Sequence, residues 1–175
     1  MAATSDPLLR IPLLYHFTDV RNLPSIKVLD GIHATARLNE MGVKFYSGGN
    51  ELSLQLDRQS DMDKFVHLCF DLRHPMESYV KSRDSEAKLL YLTIDRAILY
   101  QGGVRFSTGV ANALGAQSFT IEEAQQGNMI DYDVLYTYMP WSDPEVQSRR
   151  HAAELCEILV PDYVSMKFIR NFPNG

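Results

Sequence analysis

Cysteine is scarce in this 175-residue chain: there are two, Cys69 and Cys156, each inside an apolar stretch. That is too few for a disulfide framework, and neither lies in a recognisable nucleophile setting, so both read as small buried hydrophobes of a reducing compartment. Long apolar runs are absent as well. No stretch approaches the roughly 18 apolar residues that a membrane helix needs, and the N-terminus lacks a basic segment followed by an apolar one. These absences predict a soluble, unexported, cytoplasmic protein with no membrane partner. Positive charge is short too: 17 Lys and Arg against 22 Asp and Glu leave a net charge of −5. Such a balance argues against gripping long duplex nucleic acid through many phosphates. Any nucleic-acid contact here should be short, local and dependent on a pocket more than on the overall field.

Familiar chemical motifs are also missing. Among the five histidines, His67 and His74 are seven residues apart across a strand and a proline, and no pair has the spacing of a zinc site, so no metal is expected. There is no Gly-x-Gly-x-x-Gly, no phosphate-loop lysine and no Gly-x-Ser-x-Gly elbow.

What is present fits one domain over residues 1–175, with 45% hydrophobic residues and no linker-like composition. Residues 1–6 and 171–175 read as frayed ends. Residues 8–17 are apolar with weak alternation and predict a buried strand. Thr18-Asp19 offers an N-cap, Pro24 falls in a first helical turn, and Leu23, Ile26 and Leu29 recur at helical spacing until Asp30-Gly31 stops the run. Ser47-Gly48-Gly49-Asn50 is a turn signal, and residues 57–64 suit a surface connection or short helix. Further strands are predicted over 65–72, stopped by His74-Pro75, and over 88–94, 130–138 and 157–160. Asp95 can cap a short helix over 97–99, and Asp143-Pro144-Glu145 starts a helix running to about residue 153. Residues 101–117 are dense in Gly, Ala, Asn, Ser and Thr and read as a long surface loop or lid. Strands and helices mix without regular β-α-β alternation, so the expected class is α+β.

Three polar residues stand out inside strand-like apolar segments. His16 lies in Leu13-Leu14-Tyr15-His16-Phe17-Thr18, Arg73 closes Val66-His67-Leu68-Cys69-Phe70-Asp71-Leu72-Arg73, and Glu157 opens Glu157-Ile158-Leu159-Val160-Pro161. Burying such a group unpaired costs about 1–3 kcal/mol, so each needs a partner or a task. His16 could be satisfied by nearby backbone, and Arg73 could reach water from a strand end. Glu157 is harder to explain that way, because it follows Leu155-Cys156 and precedes three apolar residues. Glu154, in the helical stretch, is expected to be solvated. Together, one residue of each charge type can hold an anionic, sugar-containing ligand.

The surroundings of these residues resemble a known family. Tyr15-His16-Phe17-Thr18, followed by Asn22-Leu23-Pro24-Ser25-Ile26, is similar to the N-terminal signature of the DarT family of DNA ADP-ribosyltransferase toxins. Leu72-Arg73-His74-Pro75-Met76 resembles its second motif, a strand closing on an arginine before a Pro-Met step. The segment from Arg149-Arg150-His151 to Glu157-Ile158-Leu159-Val160-Pro161 resembles its catalytic block, and the three motifs stand in the family's order.

The resemblance implies an ADP-ribosyltransferase-like fold: two antiparallel or mixed sheets, an NAD cleft between them and peripheral helices. His16 would grip NAD, with Phe17, Thr18, Asn22 and Ser25 lining the same pocket. Arg73 would contact the NAD phosphates and help orient the acceptor, and Glu157 would be the catalytic glutamate. Single-stranded DNA would be the acceptor, with thymidine the favoured base and guanosine the alternative. The protein would act, as a monomer, as a toxin or phage-defence effector opposed by a macrodomain antitoxin. Residues 102–127 match no family pattern and would bear on which base is modified.

That chemistry suits the residue types. Breaking the nicotinamide–ribose bond builds positive charge on the ribose, which a fixed carboxylate stabilises while it can also remove a proton from the attacking base nitrogen. An arginine matches the pyrophosphate bidentately, as a lysine does not. A base must be unstacked to react, which favours single strands. Arg149 and Arg150, with Lys167 and Arg170, would supply the small DNA-phosphate patch, unless they form an ordinary solvated face. Two other readings stand beside this one: an ADP-ribosyltransferase acting on protein or RNA, and a non-catalytic binding module whose three polar residues are structural.

Overall fold

The computed structural model describes residues 6–48, 51–73, 75–111, 113, 115–126 and 129–173. Residues 1–5 and 174–175 of the expected frayed ends, Gly49 and Asn50 of the expected turn, the stop residue His74, and Asn112, Leu114 and Gly127 of the unmatched middle region lie outside the described residues.

Asp6 caps a 3-10 turn over Pro7–Arg10, and strand β1 follows over Leu13–Asp19. The single strand expected over 8–17 is thus divided, because Pro7 suits a helical first turn and Pro12 has no N–H for a ladder. Asp19 caps a second 3-10 turn, Val20–Asn22, through the Arg21 amide, and helix α1 runs over Leu23–Val28. Asp30 and Gly31 end it with positive φ values of 54° and 154°. Strand β2, Gly31–His33, then pairs with the last strand, β8, Tyr163–Ser165, as a small antiparallel sheet. Gly31 is needed there, since a Cβ would stand 2.3 Å from the Val164 carbonyl oxygen.

Helices α2 (Thr35–Glu40) and α3 (Glu51–Gln59) follow, and a 3-10 turn over Met62–Lys64 leads into β3, Phe65–Cys69. The polar stretch 57–64 is therefore the end of one helix plus a turn. After α4, Pro75–Arg83, comes β4, Leu89–Asp95, whose last residue caps the 3-10 helix Arg96–Tyr100 through the Ala97 amide, as expected. Helix α7, Pro144–Glu154, starts where Asp143 accepts from the Glu145 amide, and β7, Glu157–Pro161, follows it.

Two expectations fail in the middle of the chain. Residues 101–117 are not all loop: Arg105–Ser107 forms β5 and Ser118–Thr120 forms β6. Phe106 is fully buried opposite Ile158, so one aromatic anchor outweighs the turn-rich composition around it. After α5, Ile121–Gln126, the strand expected over 130–138 is a helix, α6, Tyr132–Tyr136. Its aromatic and β-branched residues favour a strand, but Asp131 accepts from the Val134 amide as an N-cap, and Tyr132 packs edge-on to Phe70.

The main sheet has six strands in the order β4-β1-β3-β7-β5-β6, each antiparallel to its neighbours. Central β7 is buried from Glu157 to Val160, which explains its unbroken Ile-Leu-Val run. Leu14, Leu92, Ile94, Phe106 and Ile158 are fully buried in one core, each contributing about 1.5–3 kcal/mol. Among the described residues, no helix is long and apolar enough to cross a membrane. One irregularity builds the site. Strand β1 meets β4 over seven register pairs, from Leu13↔Asp95 to Asp19↔Leu89, but meets β3 at one, Tyr15↔Cys69. Beyond that pair the two strands part, and a cavity opens between them and the small sheet.

Candidate active site

The cavity measures about 520 Å³, within the usual range for a small-molecule or cofactor site. Its walls include His16, Phe17, Thr18, Asn22, Ser25 and Glu157. Six of the residues singled out in the sequence, five from positions 16–25 and Glu157 from far along the chain, therefore line one space.

His16 sits where β1 and β3 separate. Its Nδ1–H donates to the His67 carbonyl at 3.0 Å, replacing a missing ladder bond and fixing the ring tautomer. Phe17 lies 6.1 Å from the Tyr91 ring, tilted by 48°. Thr18 is buried, and its hydroxyl accepts from Asn22 Nδ2 at 3.1 Å. Asn22 also donates to the Tyr46 carbonyl and accepts from the Tyr46 amide, both at 2.8 Å. Its amide thus clasps the 43–48 segment over the cavity. Arg21 strengthens the clasp, with its guanidinium carbon 3.9 Å from the centre of the Tyr46 ring. Two carboxylates hold Arg21 in place, Asp19 at 2.7 Å and Asp84 at 2.6 Å. Hydrogen bonds from Arg21 hold the buried Asp19 carboxyl below the usual range, although burial opposes them.

Glu157 opens β7 and is 4% exposed. Its Oε2 accepts from the Ala111 amide at 2.8 Å and from His67 Nδ1 at 3.2 Å. Ala111 belongs to the loop between β5 and β6, the stretch that matched no family pattern. His67 and Glu157 are diagonal neighbours, because Cys69 is the residue directly opposite Glu157. Burial pulls the His67 pKa down, but the charge and hydrogen bond of Glu157, the Met62 carbonyl and the Asp57 charge outweigh it and hold it up at about 9. Cys69 is a buried thiol, pushed up by desolvation and then by the Glu157 charge, and it donates to the Tyr15 carbonyl. Neither it nor the buried Cys156, pushed up to about 11 by the same two causes, is set up as a thiolate nucleophile.

The predicted cations stand elsewhere. Arg73 is exposed, does not line the cavity, and lies with its guanidinium carbon 5.7 Å from the Trp141 ring centre. Arg150 stands 5.2 Å from the same ring, bonded to Asp71, Glu154 and the Val134 carbonyl. Arg149 is held by Asp131 at 2.8 Å, and Arg170 pairs with Asp95. Lys167 Nζ lies 4.9 Å from the Phe168 ring centre. Glu154, expected to be solvated, is instead the half-buried partner of Arg150.

Sequence reasoning missed His67, considered there only as a metal ligand, and the clasp of Asn22 and Arg21 on Tyr46. A signal for the first existed: His67 is the one charged-type residue inside Phe65–Cys69, so it also needed a partner. The second depends on the tertiary approach of two loops and left no trace in the sequence.

A model of the DarT family, described as ssDNA thymidine ADP-ribosyltransferase, matches residues 15–172. No curated protein matches the sequence. Among solved structures, Thermosipho africanus DarTG in complex with ADP-ribose is 22% identical with a TM-score of 0.68, over 90% of this chain and 42% of its own. Thermus sp. 2.9 DarT in complex with ADP-ribosylated ssDNA is 18% identical with a TM-score of 0.67, over 91% of this chain and 79% of its own. The same Thermus protein in complex with NAD+ gives 20% identity and a TM-score of 0.64, over 91% and 80%. The present chain thus spans less than half the length of the Thermosipho protein and about four fifths of the Thermus one. The backbone likeness shows a shared fold, and the match over residues 15–172 shows that this chain belongs to the DarT family of ADP-ribosyltransferases.

Proposed function

We propose that this chain transfers ADP-ribose from NAD to a thymidine base of single-stranded DNA, with Glu157 as the reacting carboxylate. The observation that carries this reading is the convergence of His16, Phe17, Thr18, Asn22, Ser25 and Glu157 on one cavity of about 520 Å³. In the step proposed, a ring nitrogen of the base bonds to the ribose carbon while nicotinamide leaves with the bonding pair. The fixed Glu157 carboxylate stabilises the positive charge on the ribose, and it accepts the proton of the attacking nitrogen. His16, Phe17, Thr18 and Ser25 form the donor wall, and Asn22 contributes by holding the 43–48 segment against it.

On the acceptor side, the strand meets Arg73 and the half-exposed Trp141 ring, where a guanidinium and an aromatic face suit phosphate and an unstacked base. Arg73 reaches the NAD phosphates from this side when both substrates are bound. Arg149 and Arg150 frame this face, and Lys167 and Arg170 are outlying cations. The single domain acts as a cytoplasmic monomer and as a toxin opposed by a macrodomain antitoxin. A relative of which this chain covers 42% has room for a further domain, which supports such a partner. Mass spectrometry of mixed-sequence DNA after incubation with protein and NAD tests the reading: an adduct on thymidine supports it, and an adduct on guanosine or on no base overturns the assignment.

A further inference from the structure

We propose that His67 is a positioning residue for Glu157, clamped as a doubly protonated imidazolium between the Glu157 carboxylate and the Met62 carbonyl. The inference rests on the reading of Glu157 as the reacting carboxylate, and the geometry supplies the rest. His67 Nδ1 lies 3.2 Å from Glu157 Oε2, and Nε2 lies 3.1 Å from the Met62 oxygen. A carbonyl and an ionised carboxylate can only accept, so both contacts are hydrogen bonds only when both ring nitrogens carry protons. The backbone supports the same arrangement. Strand β3 presents His67 diagonally to Glu157, while the His67 carbonyl is held in turn by His16 Nδ1–H at 3.0 Å.

The groups acting on the ring come from three elements. Glu157 faces it from β7, Asp57 acts on it from α3, and Met62 caps it from the turn before β3. On its own strand the nearest titratable residue is Cys69, two positions on, which bonds to Tyr15 instead. The ring is thus under the influence of two acids, one of them in hydrogen-bond contact. Together with the Ala111 amide on the same Oε2, His67 gives that oxygen two donors. The carboxylate is held in place for electrostatic stabilisation of the ribose cation.

Two measurements test the inference on the full chain. In NMR titration of the labelled histidines, the His67 ring should keep both protons up to about pH 9, and Glu157→Gln should lower its midpoint. A midpoint at or below pH 7, or one that Glu157→Gln does not move, overturns the inference whatever the acceptor proves to be. In kinetics, His67→Leu should lower kcat about 10–100-fold for both NAD cleavage in water and transfer to DNA, the scale seen for partners that orient a reacting ligand. KM for NAD should stay within about twofold. His67→Gln, which keeps one N–H donor, should recover most of kcat while losing the alkaline limb of the pH profile. Wild-type kcat in His67→Leu, or an unchanged alkaline limb in His67→Gln, also overturns it. Full DNA transfer by Glu157→Gln, with the His67 midpoint still shifted, would instead defeat the reading of Glu157 and leave the ion pair intact.

Discussion

The donor cleft and the basic face around helix α7 were both marked by polar residues in the sequence, yet they are built in opposite ways. In the cleft, short side chains on strands or first turns point their groups by backbone register: His16 on β1, His67 on β3, Glu157 on β7. On the basic face, long arginines reach whichever carboxylate is near. Arg149 takes Asp131 and Arg150 takes Asp71 and Glu154, as the outlying Arg170 takes Asp95. A group fixed by a sheet keeps its position when the ligand arrives, whereas an arginine satisfied by local acids has little charge left for a phosphate. On the function proposed above, the cleft carries the chemistry, while much of the basic charge is paired with local acids.

The sharpest way to break this contrast is at Glu157. Glu157→Ala should cut transfer to single-stranded DNA by about 10²–10⁴-fold with NAD binding retained, the scale of a positioned acid–base group. Glu154→Ala, which removes one of the two acids that hold Arg150, should lower thermal stability and leave kcat nearly intact. Oligonucleotide mass spectrometry and melting curves read the two effects, and a reversal of these roles would mean that the wrong carboxylate has been assigned.

A smaller effect is expected at the clasp. Asn22→Ala removes two hydrogen bonds to the Tyr46 backbone, each worth about 1 kcal/mol, so NAD binding should weaken roughly 10–30-fold. Calorimetry measures this directly. Unchanged affinity would show that the 43–48 segment does not wall the donor site. With single-stranded DNA present, Arg73→Lys should raise the KM for NAD as much as Arg73→Ala, because an ammonium does not reproduce the planar fork on pyrophosphate.

On the basic face, Arg149→Ala/Arg150→Ala should lower the melting temperature by several degrees, since half-buried acids lose their partner. The salt dependence of DNA use, expected to be shallow at about 0.7 log units per phosphate, should change by less than the two contacts their formal charges suggest. A slope falling by about 1.4 with no loss of stability would make these arginines DNA ligands first.

The pH dependence is the gentlest probe. The folded-state pKa of His67, about 9, lies above the ordinary histidine value, so the stability its ion pair contributes is fully present below about pH 6.5 and is lost as pH rises through about 9. Activity and thermal stability should both decline on that alkaline limb, and activity should be flat from pH 7 to 8.

Much of this contrast was legible in the residues. Strand β7 could be read because a buried central strand must be continuously apolar and Pro161 bounds it. The helix starts at Asp95 and Asp143 could be read because capping is local chemistry. Glu157 stood out because it interrupts that apolar pattern. Strand β5 was hidden, since its one anchor, Phe106, is surrounded by turn-forming residues, and α6 was hidden because tertiary packing overrode its strand-like composition. The distant partners of His67, Arg149 and Arg150 could not be read at all. An ion pair across 90 or 79 positions depends on the register of distant elements, not on spacing along the chain.

The most direct test compares wild type and Glu157→Ala on one oligonucleotide containing all four bases, single-stranded and annealed, with NAD. ADP-ribose should appear on thymidine of the single strand with wild type alone, and very little on duplex. Equal modification of duplex and single strand, or an adduct that survives in Glu157→Ala at the wild-type level, would contradict the account.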